Sequence, residues 1–178
     1  MFISLQQLEQ RPVRFKVEVP VGEIEYDSTI TQASVLESEG SAQLLNHSLG
    51  EIRVQGTLRV AMIATCDRCL ESASFPVDNR FDFVYMPEAE GSPGQDEIDE
   101  AGIEIGYYSG NGLELNDVLR EVVLLALPMQ LVCNEACKGI CPVCGQNRNQ
   151  QECGCATGAV DDRWSKLKDL RAEIDSRN

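Results

Sequence analysis

The chain has 178 residues, 43% hydrophobic and 25% charged, with a formal net charge of −14. That length suffices for one domain with its own core, or for a domain plus a small metal-stapled module. Acidity on this scale argues against a general nucleic-acid binder, whose affinity comes from neutralising phosphates, and better suits a basic protein partner.

Lys+Arg against Asp+Glu run 7 to 14 over residues 1–90, 1 to 8 over 91–132 and 7 to 7 over 133–178. The acidity therefore belongs to the first 132 residues, and the cysteine-rich end is neutral. The opening MFISLQQLEQRPVRF lacks a basic n-region with a long apolar core, and no window reaches the ~18 apolar residues of a membrane span. The expected location is cytoplasmic, with no membrane partner. In a reducing compartment, eight cysteines point to metal ligands or catalytic thiols before disulfides.

In chain order, SLQQLEQ reads as a short helix with Ser4 as its N-cap. VRFKVEV alternates, with Val13, Phe15, Val17 and Val19 on one face of a half-buried strand. ASVLE and AQLLN are weaker strands around a turn at ESEGS. EIRVQGTLRVAMIAT puts Ile52, Val54, Leu58, Val60 and Met62 on one side, with Gly56 marking a bulge or bend. SFPVDNRFDFVYM gives a further strand or hairpin, so the succession predicts an antiparallel sheet with one wet face.

PEAEGSPGQDEIDE, residues 87–100, reads as an acidic surface loop. IEIGYY is another strand, closed by SGNG. NDVLREVVLLALP then predicts a helix at about residues 116–127, with Asn116 as N-cap, Asp117 at the positive end of the dipole and Pro128 as the stop. Val118, Leu119, Val122, Val123, Leu125 and Ala126 make it mostly buried. DDRWSKLKDLRAEI predicts a last helix behind an Asp cap, with an apolar stripe of Trp164, Leu167, Leu170 and Ile174.

The cysteines fall into four pairs: Cys66-x2-Cys69, Cys133-x3-Cys137, Cys141-x2-Cys144 and Cys153-x-Cys155. Two intervening residues let both thiolates of a tight turn face one ion, and a following Gly145 keeps backbone amides close to the sulfurs. Four pairs make two tetrahedral sites with none left over. Cys141 and Cys144 can join Cys153 and Cys155 by closing a loop of eight residues. Cys66 and Cys69, at a strand end, are left to join Cys133 and Cys137 after the long helix. The expected cofactor is Zn2+, two ions per chain, each filled by four thiolates and without the open position that catalysis needs.

Three rivals compete for the same cysteines. Cys137-x3-Cys141-x2-Cys144 matches the iron–sulfur spacing of radical enzymes that use S-adenosylmethionine, but the chain is too short for their barrel. Cys66 and Cys69 could form a redox dithiol, though no helix obviously begins there to lower a thiolate pKa. Free buried cysteines would explain neither the pairing nor CPVCG. Other enzyme signatures fail: His47 is the only histidine and falls in a loop or strand edge, with no phosphate-cradling loop or nucleophile elbow. Arg163, Lys166, Lys168, Arg171 and Arg177 read as the wet face of the last helix, with an RNA or ribosome contact as the sharper alternative.

The order of these features resembles the YceD family of bacterial and plastid proteins, labelled large ribosomal RNA subunit accumulation protein. The residues that carry the resemblance are the strand ending in CDRCL, the acidic loop, the helix closing in LLALP, CNEACKGICPVCGQN, the C-x-C pair and DDRWSKLKDL. It covers almost the whole chain, most strongly residues 57–70 and 113–170. The resemblance implies a non-enzymatic role in making or maintaining large-subunit ribosomal RNA. It also implies relatives that keep a CDRC-like pair without the CPVCG and C-x-C tail, which favours the pairing of Cys66 and Cys69 with Cys133 and Cys137.

The expected fold is α+β: an antiparallel sheet body packed on a buried helix over residues 1–132, then a zinc module and terminal helix over 133–178. The expected function is a zinc-binding factor in large-subunit ribosomal RNA accumulation or ribosome assembly. It would bind rRNA or a ribosomal protein and have no small-molecule substrate. A thiol redox protein using Cys66 and Cys69, and a general protein-interaction adaptor, are the alternatives.

Overall fold

The structure, a computed structural model, describes residues 1–45, 50–88 and 104–155. His47, most of the acidic segment 87–100 and the whole last helix lie outside the described residues. The described residues form two compact units, one drawn from residues 1–67 and 71–133, the other from 68–70 and 134–155. No helix among them is long and apolar enough to cross a membrane.

The first unit begins with β1 (Phe2–Ser4) and α1 (Leu5–Gln10). Ser4 caps α1 as expected: its Oγ accepts from the Gln7 amide at 3.3 Å, and the Gln7 side chain accepts from the Ser4 amide at 3.2 Å. This reciprocal pair satisfies two amides that a helix start leaves open. Then come β2 (Val13–Val19), β3 (Ile30–Gln32), β4 (Leu36–Leu44), β5 (Ile52–Thr65) and β6 (Ser72–Pro87). The unit closes with β7 (Glu104–Tyr108), β8 (Gly112–Glu114) and α2 (Leu115–Ala126). One sheet runs β2-β4-β5-β6-β7, with β3 paired to the end of β5, and β1 and β8 form a second, two-stranded sheet.

The architecture is thus mixed α and β with a mostly antiparallel sheet, and two helices among the described residues. The sheet is antiparallel as expected except at β7, which pairs parallel to β6. Parallel neighbours need a long crossover rather than a tight turn, and residues 89–103 supply that length.

The expected turn at ESEGS and the expected bulge at Gly56 are corrected. β4 runs straight through ESEGS, with Leu36, Ser38 and Ala42 buried and Glu37 and Glu39 outward. Its register against β5 is unbroken from Glu37 opposite Arg59 to Leu44 opposite Ile52. The glycines serve a row across four strands, Phe15–Gly40–Gly56–Phe81. A Cβ on Gly40 would lie 2.7 Å from the Phe15 ring, and one on Gly56 would lie 3.0 Å from the Phe81 ring and 2.5 Å from the Glu39 carbonyl oxygen. Two aromatic rings fill the space that two side chains would take.

On the wet face, the Arg53 guanidinium donates to both Asp82 carboxylate oxygens, at 2.7 and 2.5 Å. That bidentate pair holds the Asp82 carboxyl below the usual range.

On α2, Leu115, Val118, Leu119, Val122 and Val123 pack into the core, whereas Leu125, expected to be buried, is exposed. One helix face meets the core, and Leu124 and Leu125 turn away from it. Asn116 does not cap the helix. Glu114 holds that position without a side-chain bond, and the first amide, from Leu115, donates to the Met1 carbonyl at 2.9 Å. Asn116 instead donates from its side chain to Glu23 Oε1. Pro128 follows Leu127, which is extended at φ −71° and ψ 142°, as proline requires of its predecessor.

A Gly-to-Ala change in a strand ordinarily stabilises by reducing unfolded-chain entropy, by about 0.5–1 kcal/mol. Gly56→Ala is expected to do the opposite and lower stability by about 2 kcal/mol, because its methyl group collides with Phe81 and with backbone. A urea midpoint equal to or above that of the parent would refute the packing account.

Candidate metal centres

The β5–β6 hairpin closes through Cys66–Glu71, so CDRCL is the hairpin's own turn. The Cys66 amide donates to the Glu71 carbonyl at 2.9 Å. Past α2, the chain returns to this turn. The Asp67 amide donates to the Leu131 carbonyl, the Leu131 amide donates to Asp67 Oδ2, each at 2.7 Å, and the Cys133 amide donates to Cys66 Sγ at 3.3 Å. An amide aimed at a sulfur stabilises its thiolate form.

In the second unit, CPVCG makes the same kind of turn. The Cys141 amide donates to the Gln146 carbonyl at 2.8 Å, the same five-residue offset as Cys66 to Glu71. The residue after the second cysteine has positive φ in both turns: 75° at Gly145 and 62° at Leu70. Glycine adopts this conformation freely, whereas a side chain pays about 1–2 kcal/mol. Leu70 alone among the described non-glycine residues has positive φ, and it is 60% exposed.

Around Cys137, the second unit is laced by backbone and amide groups. Arg68 accepts at its carbonyl from the Ile140 amide at 2.9 Å and donates from its guanidinium to the Glu135 and Cys137 carbonyls. The Asn149 side chain donates to Cys137 Sγ at 3.3 Å and accepts from the Lys138 amide at 2.7 Å. Asp67, Arg68, Leu70 and Asn149 were not singled out by the sequence reading. Only Leu70 carried a signal there, since it follows its CxxC pair as Gly145 follows the other.

The eight cysteines gather into two groups of four. One group is Cys66, Cys69, Cys133 and Cys137, the other is Cys141, Cys144, Cys153 and Cys155, and within each the sulfurs all lie within 4.8 Å of one another. This is the grouping expected from the spacing. Four sulfurs at ~2.3 Å from a central tetrahedral ion stand about 3.8 Å apart, so both donor sets fit such an ion.

The acidities in the second group show what the sulfurs need. The amides of Cys144 and Val143 and the Cys153 side chain hold the Cys141 thiol down at about 6. Cys153 is pushed up by Cys141, and Cys155 is pushed up to about 12, chiefly by Cys144. Thiols this close cannot all ionise beside one another, and a divalent cation among them removes that conflict.

Among known proteins, the chain is similar to a protein of Arabidopsis thaliana named "Large ribosomal RNA subunit accumulation protein YCED homolog 1, chloroplastic". The two are 23% identical over 152 residues, which cover 71% of this chain and 46% of the relative. It is 31% identical to an uncharacterized protein of Mycobacterium bovis over 121 residues, 67% of this chain and 55% of that one. A maize protein with the same name as the Arabidopsis one is 23% identical over 130 residues, 60% of this chain and 44% of its own length. The chain spans about half the length of these curated relatives. No solved structure matches it significantly. The profile of the family described as "Large ribosomal RNA subunit accumulation protein YceD" matches residues 54–171, from near the start of β5 through both cysteine groups, and the chain belongs to that family.

Proposed function

We propose that this protein is a zinc-stabilised, non-enzymatic factor in large-subunit ribosomal RNA accumulation, acting by binding rRNA or a ribosomal protein during assembly. The observation that carries the reading is the family match over residues 54–171. The printed name of the Arabidopsis relative, which places that protein in large ribosomal RNA subunit accumulation, supports it. In this reading, residues 1–132 are the binding body and 133–178 the zinc module, and the site of action is the cytoplasm.

Zinc is the metal of choice for an all-thiolate tetrahedral donor set. Cys66, Cys69, Cys133 and Cys137 hold one ion, and Cys141, Cys144, Cys153 and Cys155 hold the other. Bound there, the ions supply structural cross-links. The amides of Cys133, Cys144 and Val143 and the Asn149 side chain support the sulfurs. The burial of Cys66 and Cys69 beside two further sulfurs favours this reading over a reactive dithiol, which needs access to its partner.

Cells lacking the protein should show a deficit of large-subunit rRNA and of free large subunits on sucrose gradients. A normal profile would remove the assembly reading.

Native mass spectrometry of protein purified without added metal should give two zinc ions per chain, and loading zinc should release protons from Cys153 and Cys155, whose pKa values are raised. Cys66→Ser and Cys144→Ser should each remove one ion. Iron, or one ion in the parent, would overturn the site assignment.

Leu70→Gly relieves the strained turn without touching a ligand. It should keep both ions and leave stability unchanged or up to about 1 kcal/mol higher. A loss of more than 1 kcal/mol would show that the leucine side chain, not the ion, holds the turn.

A further inference from the structure

At the end of the β5–β6 hairpin opposite the Cys66 turn, the first unit carries a groove of about 300 Å³ lined by residues of β1, β6, β7, β8 and α2. Its size is at the bottom of the ~300–1,000 Å³ range of ligand pockets, suiting a side chain rather than a cofactor. Phe2 and Tyr107 border it and are 49% and 50% exposed. The Tyr85 ring is buried below, over Gly106, whose absent side chain leaves the space that the ring occupies. Tyr85 donates its hydroxyl to Glu121 Oε2 at 2.6 Å.

The other wall is acidic. Asp117 and Glu121 stand four apart on one face of α2, and Glu114, the N-cap residue at the end of β8, borders the same groove. Glu114 lies 3.5 Å from the Met1 ammonium, while Asp117 is exposed and Glu121 half-buried. Among the described residues, no lysine or arginine lines the groove.

We propose that this groove binds an arginine or lysine side chain of a basic protein segment. Exposed aromatic faces attract a cation through the ring quadrupole, and the carboxylates of α2 supply the matching charge and hydrogen-bond acceptors. An arginine guanidinium meets both needs together, because its flat face stacks on a ring while its edge donates to a carboxylate. A phosphate would be repelled by the Asp117 and Glu121 carboxylates, so the groove selects protein over RNA. An apolar side chain would desolvate Glu121 and Asp117 without replacing their lost hydrogen bonds. The inference rests on the reading that the protein acts by binding, and it chooses the basic protein over the nucleic acid.

The test is calorimetric titration of the full chain with a ten-residue peptide of alternating arginine and glycine. The comparison peptides carry lysine or the neutral isostere citrulline in place of arginine. Asp117→Asn with Glu121→Gln should weaken arginine-peptide binding about tenfold, and Tyr107→Ala, which removes no charge, by about threefold or more. Glu37→Gln with Glu39→Gln removes two charges from the wet face of the sheet and should change binding less than about twofold, since screening is strong beyond ~10 Å.

Equal losses in the two charge-removing variants would reduce the binding to the general acidity of the chain and overturn the proposal. So would an unaffected Tyr107→Ala, or a citrulline peptide that binds as well as arginine. A groove that fails these tests leaves the assembly reading intact. A normal ribosome profile in cells lacking the protein removes that reading whatever the peptide does.

Discussion

Fourteen consecutive pairings join β5 to β6, from Ile52 opposite Tyr85 to Thr65 opposite Ser72, in one unbroken antiparallel register. β3 and β4 pair with β5 and β7 pairs with β6, so this ladder is the centre of the six-stranded sheet. Its alternate residues supply Val54, Leu58, Val60, Met62, Phe81 and Phe83 to the core. Its closed end must be a turn, and the residues of that turn include Cys66 and Cys69. Its open end must present Tyr85, which α2 meets through Glu121. A shift of one residue would send the core side chains to the wet face. It would also break the glycine–phenylalanine row, since Gly56 could no longer face Phe81.

The long apolar alternation of β5 was legible in the sequence because one buried face leaves a strict period of two. So were the capped α1 and the buried stripe of α2. What misled were residues whose local meaning and tertiary meaning differ. Gly40 within ESEGS reads locally as a turn, and Gly56 as a bulge, yet both are flat positions beneath aromatic rings. Asn116 reads as a cap, but it lies inside the helix, whose first amide donates to the Met1 carbonyl and whose N-cap is Glu114. β1, β3 and β8 are three residues each, too short to carry any period. The parallel pairing of β7 depends on its partner strand, and no pattern within IEIGYY could announce it.

The cysteine groups were legible for a different reason. Tetrahedral thiolate chemistry counts in fours, and eight cysteines in four close pairs leave few ways to divide. Spacing named the cysteines that gather but not what holds them in place. Asp67 exchanges two hydrogen bonds with Leu131, and Asn149 bridges Cys137 and the Lys138 amide. These polar side chains look like ordinary loop residues until the chain is folded. Leu70 is the exception that could have been noticed, because it stands where the matching turn has glycine. A strained and exposed leucine persists only where the surroundings over-determine the backbone, and a turn with Cys66 and Cys69 anchored at both ends does so.

The same ladder sets the scale on which the two functional features communicate. Thirteen residue steps separate Tyr85 from Ser72 along β6, and at ~3.3 Å per residue that is about 43 Å of continuous strand. Electrostatic influence between exposed groups fades over ~8–10 Å at physiological ionic strength, so charge at the sulfur end cannot tune the acidic groove directly. Coupling would have to be mechanical, through a sheet whose register is fixed by fourteen pairings and whose packing leaves no slack at the Gly40–Gly56 crossing. The cysteine turn is therefore best understood as an anchor for the fold, and the aromatic–acidic groove as a surface whose selectivity is set locally by Tyr107, Asp117 and Glu121.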